Sequence, residues 1–233
     1  MAEKRYPEGT DEGLLRIEQE KIIGEWEARR KFAADHGTRL HNELQQYFVT
    51  GEISEKLEPA AKKIANFYRH HYKHYDELVL YSEKHLAAGT TDKAVARSKK
   101  INVIDFMDYK TNIDNGITYD SCKEKENKFT FENKYFLEPF IHVEESNYFT
   151  YSMQLSKYAY FAETTYHIKI GKLNIAFVNE AKGTCDIIPV PYMRNEVEYF
   201  FAWREMMMKK QNTGREVMID EKKIVKTIND EIW

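Results

Sequence analysis

The spacing of apolar positions changes along this chain, and each change marks an element. In "DEGLLRIEQEKIIGEWEARRKF", residues 11–32, Leu14, Ile17, Ile22 and Trp26 recur at mostly helical intervals, with Asp11 as a candidate cap. "AADHGTRLHNELQQYF", residues 33–48, predicts a second helix through Leu40, Leu44, Tyr47 and Phe48. "ISEKLEPAAKKIANFYRHHYKHY", residues 53–75, predicts a third, with Pro59 tolerated near its first turn or at a break. The period then shortens. "DELVLYSEKHL" (76–86), "TTDKAVARS" (90–98) and "KKINVIDFMDYKT" (99–111) predict three strands.

Residues 112–146 follow as a long irregular stretch rich in Asn, Lys, Glu and aromatics, and a connection of that length is usually functional. "NYFTYSMQLSKYAYFAE" (147–163) returns to helix. "TYHIKIGKLNIAFVN" (165–179) predicts two short strands about a Gly-containing turn. "PYMRNEVEYFFAWREMMMKK" (191–210) predicts a helix, and the tail from Asp220 another. This order of helices, three strands, a helix, strands and helices predicts a mixed α/β (α+β) fold with a central mixed sheet flanked by helices. No internal repeat and no Ser/Gly linker divides it. The expected organisation is therefore a single domain over 1–233. It comprises N-terminal helices at 11–75, a core at about 76–178 and a C-terminal helical region at about 190–233.

Composition narrows the classes. With 42% hydrophobic and 31% charged residues in 233, the chain can bury a sizeable core and is not a disordered segment. A net charge of −3 gives no global attraction to nucleic acid, so such binding needs a local basic groove or a bound metal. Two cysteines, Cys122 and Cys185, cannot by themselves build a four-thiolate iron-sulfur or zinc site. The start lacks an apolar secretory segment, and no run of apolar residues is long enough to span a bilayer, so the expectation is a cytoplasmic protein without membrane contact.

Four groups carry candidate chemistry, in chain order. "GTRLH" sets His41 four residues after Gly37. "AGTTD" ends on Asp92 at a turn or early strand. "DYK" places Asp108 and Lys110 on one face of an extended strand. "QLSKY" places Gln154 and Tyr158 on one face of a helix. Each alone has an ordinary reading: a surface histidine, a turn aspartate, a solvated ion pair, two helix-face residues. Glu83 is a further, weaker acidic candidate. His70 and His74 would share a helical face and could bind zinc, though no third or fourth ligand accompanies them.

Together and in this order, the four groups resemble the RecB-like branch of the PD-(D/E)XK nuclease superfamily, phage-type exonucleases included, over roughly residues 26–178. Thr91 stands where the superfamily name expects proline, and the second acid is Asp108 rather than Glu. The resemblance implies a restriction-endonuclease-like core and a magnesium- or manganese-dependent DNA nuclease. It implies an exonuclease that leaves 5′-phosphates and works in phage or bacterial DNA recombination, repair or processing. It assigns Asp92, Asp108, the Tyr109 carbonyl and His41 to the metal, Lys110 to orienting or helping to deprotonate the attacking water, and Gln154 and Tyr158 to positioning substrate or the lysine. The four cysteines of iron-sulfur members are missing, so no cluster is expected. DNA ends are the expected partner, in the cytoplasm of a bacterial or phage-infected cell, with a homo-oligomer or a recombination protein as further partners. Lys123, Lys125 and Lys128 are candidate backbone contacts within the long irregular stretch, where Tyr119, Phe129, Phe131, Tyr135 and Phe136 could stack on bases or pack onto the domain. The alternatives are a structure-selective or RNA-directed endonuclease of the same fold, or a non-cleaving nucleic-acid-binding or assembly module.

Overall fold

The structure, a computed structural model, describes residues 12–99, 103–111, 117 and 135–212. The chain divides into two compact units, Met1–Glu52 and Ile53–Trp233. In the first, a single helix α1 (Glu12–Thr50) replaces the two helices expected from the spacing. A lone glycine near the presumed break, Gly37, costs a helix only about 1 kcal/mol relative to alanine, and no proline accompanies it, so the helix runs through. It stops at Gly51, whose left-handed φ of +79° turns its N–H onto the Tyr47 carbonyl at 2.8 Å and satisfies one of the last free carbonyls.

The second unit contains α2 (Glu58–Tyr68), β1 (Lys73–Ser82), β2 (Ala87–Ala96), β3 (Val103–Lys110), α3 (Asn147–Thr164), β4 (Lys169–Asn179), β5 (Thr184–Val190) and α4 (Arg194–Asn212). The five strands form one sheet in sequence order. Neighbours are antiparallel except β3 and β4, which run parallel and are joined through α3. The expected class, a mixed α/β fold on a central mixed sheet flanked by helices, is the one observed. Among the described residues no helix is long and apolar enough to cross a membrane.

Alternation along β3 sorts the two faces. Ile104 and Phe106 point into the main core with Leu173 and Ile175 of β4, Leu155 and Phe161 of α3, and Val197 and Phe201 of α4. Each fully buried side chain of this size contributes roughly 1.5–3 kcal/mol. The opposite face meets α2, whose buried stripe is Ala60, Ala61, Ile64 and Tyr68. Tyr68 accepts a hydrogen bond on its hydroxyl from the Asn174 amide at 3.3 Å. The β1–β2 turn is fastened to α4: the His85 ring stacks on Phe201 at 4.2 Å, and the Arg204 guanidinium donates to the His85 carbonyl at 2.5 Å.

Several elements differ from the sequence expectation. The helix predicted over 53–75 ends at Tyr68, because from Lys73 the chain finds its backbone partners in a ten-residue ladder with β2. His74 therefore sits on a strand and His70 in a turn, and the helical zinc pair does not form. Residues 165–179 make one strand, not two, and Gly171 makes no turn. β5 was not anticipated. It returns through a tight turn at Gly183, φ +61°, and its Pro189 is tolerated because β5 is an edge strand.

Gly171 serves a close approach instead. The β3–β4 register jumps from Ile104↔Ile170 to Phe106↔Leu173, so Gly171 and Lys172 together face Asp105. This bulge leaves the Lys172 N–H off the ladder, and Asp105 Oδ1 accepts it at 2.6 Å. The same buried carboxylate receives Arg97 at 2.7 and 3.0 Å and lies 3.0 Å from His71 Nε2. Burial pushes the Asp105 pKa up, but Arg97, the Lys172 N–H and His71 more than offset it and hold it below the usual carboxylate range. Its contribution to stability is thus present above the unfolded value of about 3.9 and fades as pH falls through the lower folded value.

A Cβ at position 171 would lie 1.9 Å from Asp105 Oδ1 and 2.8 Å from the Arg97 guanidinium. Gly171→Ala must push the carboxylate out of its bonds, which should cost about 2–3 kcal/mol. For a chain of this size that lowers the melting temperature by roughly 4–12 °C. A thermal melt within a degree of wild type would show that the bulge accommodates a side chain.

Candidate active site

The face of β3 that carries Ile104 and Phe106 continues, at the C-terminal end of the strand, with Asp108 and Lys110. The apolar core therefore gives way to an acid and a base at the end of the same row. Asp108 is buried, and the Lys110 ammonium lies 2.5 Å from its Oδ2. Lys110 also stands over the Tyr151 ring of α3, 5.0 Å from its centre, a cation–π contact that fixes the long side chain.

Asp92 arrives from β2 by a different device. The β2–β3 ladder runs from Ala96↔Ile104 to Lys93↔Met107 and ends there. One further step would set Asp92 opposite Asp108. The strands part instead, and the Tyr109 N–H donates to Asp92 Oδ2 at 2.5 Å. A backbone donor buried at the edge of a ladder needs such an acceptor, so one carboxylate both seals the fork and stands beside Asp108.

α3 starts at the Ser146 cap, whose side chain accepts the Phe149 N–H at 3.2 Å, and presents Gln154 and Tyr158 one turn apart. The Gln154 amide donates to the Tyr158 hydroxyl at 3.0 Å. Burial, then the charge of Asp108, pushes the Tyr158 phenol up to about 12, so it remains a neutral donor at working pH. Burial alone would lower the Lys110 pKa, but Asp108 and then Asp92 raise it above the ordinary lysine value. Lys110 is thus an ammonium here. It can donate to a water or a phosphate oxygen but has no lone pair to take a proton, which supports the orienting half of its expected role. The fields of Asp92, Asp108 and Lys110 all reach Tyr158, which places the four groups in one neighbourhood. Two carboxylates and one ammonium leave a net negative charge of hard oxygen donors, a set that fits a small divalent cation such as magnesium or manganese.

Sequence reasoning missed one residue. Asp76↔Lys93 and Leu78↔Thr91 flank Glu77 and Asp92, so these two acids stand opposite each other across β1 and β2. Their carboxylate oxygens lie within 4.8 Å. Glu77 has a left-handed backbone, φ +51°, inside a strand, which costs a non-glycine residue roughly 1–2 kcal/mol. The flank is held by a 2.7 Å ion pair between Asp76 and Lys93, whose side chain is 1% exposed. Burial lowers the Lys93 pKa, and Asp76 opposes it. Glu83, the acid weighed from sequence, belongs to the hairpin turn, where its carbonyl accepts the Leu86 N–H.

His41 is on α1, in the first unit. Lys123, Lys125 and Lys128 lie outside the described residues, as do Cys122, Tyr119, Phe129 and Phe131. Of the aromatics between residues 112 and 146, Phe136 packs on Phe149 at 5.1 Å, while Tyr135 is half exposed. Cys185 is a buried free thiol, pushed up to about 11 by burial.

No family model matches the chain, and no curated protein matches it. A crystal structure from Eubacterium rectale, described as that of a "Putative exonuclease", is 13% identical. The match covers 94% of this chain and 76% of that chain, with a TM-score of 0.37. A likeness that faint carries no functional argument.

The double duty of Asp92 separates two substitutions. Asp92→Asn keeps an oxygen for the Tyr109 N–H, whereas Asp92→Ala leaves that donor buried and unpaired, at a cost of about 1–3 kcal/mol. In EDTA the alanine variant should melt several degrees below the asparagine variant. Equal melting temperatures would mean that the Tyr109 N–H does not depend on Asp92.

Proposed function

We propose that this chain is a divalent-metal-dependent nuclease of RecB-like type that degrades DNA from its ends and leaves 5′-phosphates. The observation that carries the reading is the convergence of Asp92, Asp108 and Lys110 at one end of one sheet face, beside the Gln154–Tyr158 pair. A binding module gains nothing from buried like-charged acids, which favours cleavage over mere docking.

Phosphodiester hydrolysis must bring a nucleophile to an anion. A divalent ion at such a site neutralises the phosphate, activates a water and stabilises the leaving oxygen. Asp92 and Asp108 would hold it, with the Tyr109 carbonyl as a further oxygen donor. Lys110 donates from its ammonium to the attacking water or to a phosphoryl oxygen as charge builds there. Gln154 and Tyr158 supply neutral donors that orient the strand or the lysine. Asp108 and the Tyr151 ring keep Lys110 from swinging into solvent. His41 enters the proposal from the sequence motif as a nitrogen donor, and Lys123, Lys125 and Lys128 enter it as backbone contacts.

End-labelled linear DNA, single- and double-stranded, incubated with manganese or magnesium, tests the reading directly. Cleavage should stop in EDTA, and covalently closed circles should survive. Cleavage that persists in EDTA, or none on any DNA, would refute it. Lys110→Ala should bind manganese nearly normally and cut at least ~100-fold more slowly, and wild-type rates in this variant would remove Lys110 from the chemistry. His41→Ala should raise the manganese concentration needed for half-maximal cleavage, and an unchanged titration would return His41 to an ordinary helix residue.

A further inference from the structure

Resting on the metal-dependent reading above, we propose that Glu77 is a third carboxylate ligand of the ion held by Asp92 and Asp108. The left-handed residue inside β1 is the device that presents it. Three independent features lead there. The ladder register sets Glu77 opposite Asp92, on the strand pair that already delivers the first acid. The two carboxylates reach within 4.8 Å of each other. Two oxygens on opposite sides of one ion at about 2.1 Å stand about 4.2 Å apart, and an exposed glutamate side chain has the freedom to move in to that separation. Finally, the φ of +51° at Glu77 interrupts a strand whose flanking pairs stay in register on both sides. A glycine would occupy that conformation without penalty. What the glutamate adds is its carboxylate.

The surroundings are suited to a fixed ligand. Asp76, one residue earlier, is locked to the buried Lys93, so the strained residue is clamped from the side facing α2. Asp92 is clamped from the other side by the Tyr109 N–H. Each carboxylate oxygen carries lone pairs enough to accept such a bond and also to meet a cation. With Glu77 included, the site would count three acids against one ammonium, Lys110, a net charge of about −2, matched to one divalent ion.

Isothermal titration of manganese into the full chain tests the assignment without any nuclease assay. Glu77→Gln should weaken manganese binding at least ~10-fold, and Glu83→Gln, in the hairpin turn, should leave it unchanged. Glu77→Gly should weaken binding equally, yet melt above Glu77→Gln in EDTA because the left-handed strain is relieved. Wild-type affinity in Glu77→Gln overturns the assignment while leaving the Asp92–Asp108 site intact. A Glu77→Gly protein that melts below Glu77→Gln overturns the role of the backbone. No manganese binding by the wild-type chain overturns the nuclease reading itself.

Discussion

The hydrogen bond from the Tyr109 N–H to Asp92 sits where two strands of the sheet separate, and the organisation of the site follows from that fork. A sheet that stayed fully paired past Lys93↔Met107 would hold its backbone donors in the ladder and leave no room between β2 and β3. A sheet that parted without an acceptor would bury an unpaired N–H. The aspartate resolves both demands, and so it stands at the one point where β3 has left its partner and Asp108 and Lys110 emerge. The main core reaches this point from one side through Ile104 and Phe106, and α3 covers it with Tyr151, Gln154 and Tyr158.

Strand β3 carries two further acids whose environments set their tasks. Asp105 faces α2 and is saturated by a guanidinium, a histidine and a backbone N–H that the bulge at Gly171 sets free. Its charge is consumed in holding β4 against β3. Asp108, three residues on and on the opposite face, shares its lysine with Asp92 and looks toward neutral phenols. The same residue type on the same strand thus acts as a fastener on one face and as a candidate ligand on the other. The count of donors around each decides which.

Much of this was readable from the sequence. The short period of 76–111 predicts three strands, and the i, i+2 and i, i+4 spacings put Asp108 with Lys110 and Gln154 with Tyr158 on shared faces, where they interact. The pattern failed where long-range pairing overrides local preference. Residues 69–75 read as a continuation of the helix although tyrosine favours strands, and from Lys73 the ladder with β2 makes the chain a strand. Gly171 read as a turn because a glycine's reason, here the carboxylate packed against its missing side chain, lies 66 residues earlier in the chain at Asp105. Glu77 was invisible because its importance depends on a register and a left-handed φ that no local pattern encodes.

The first hairpin carries a constraint on how this chain can change its length. Its turn is bolted to α4 through His85, Phe201 and Arg204, and its ladder fixes which β1 residue faces Asp92. One residue inserted between Ser82 and Ala87 would either pull His85 off its stack or slide β1 by one position. A slide would bring Leu78 to the place of Glu77 and turn every β1 side chain to the other face. The pairing of β4 with β5 sets no residue opposite Asp92. A change of length in the first hairpin therefore reaches the acids directly, so natural variation in this chain's length is expected to spare that turn.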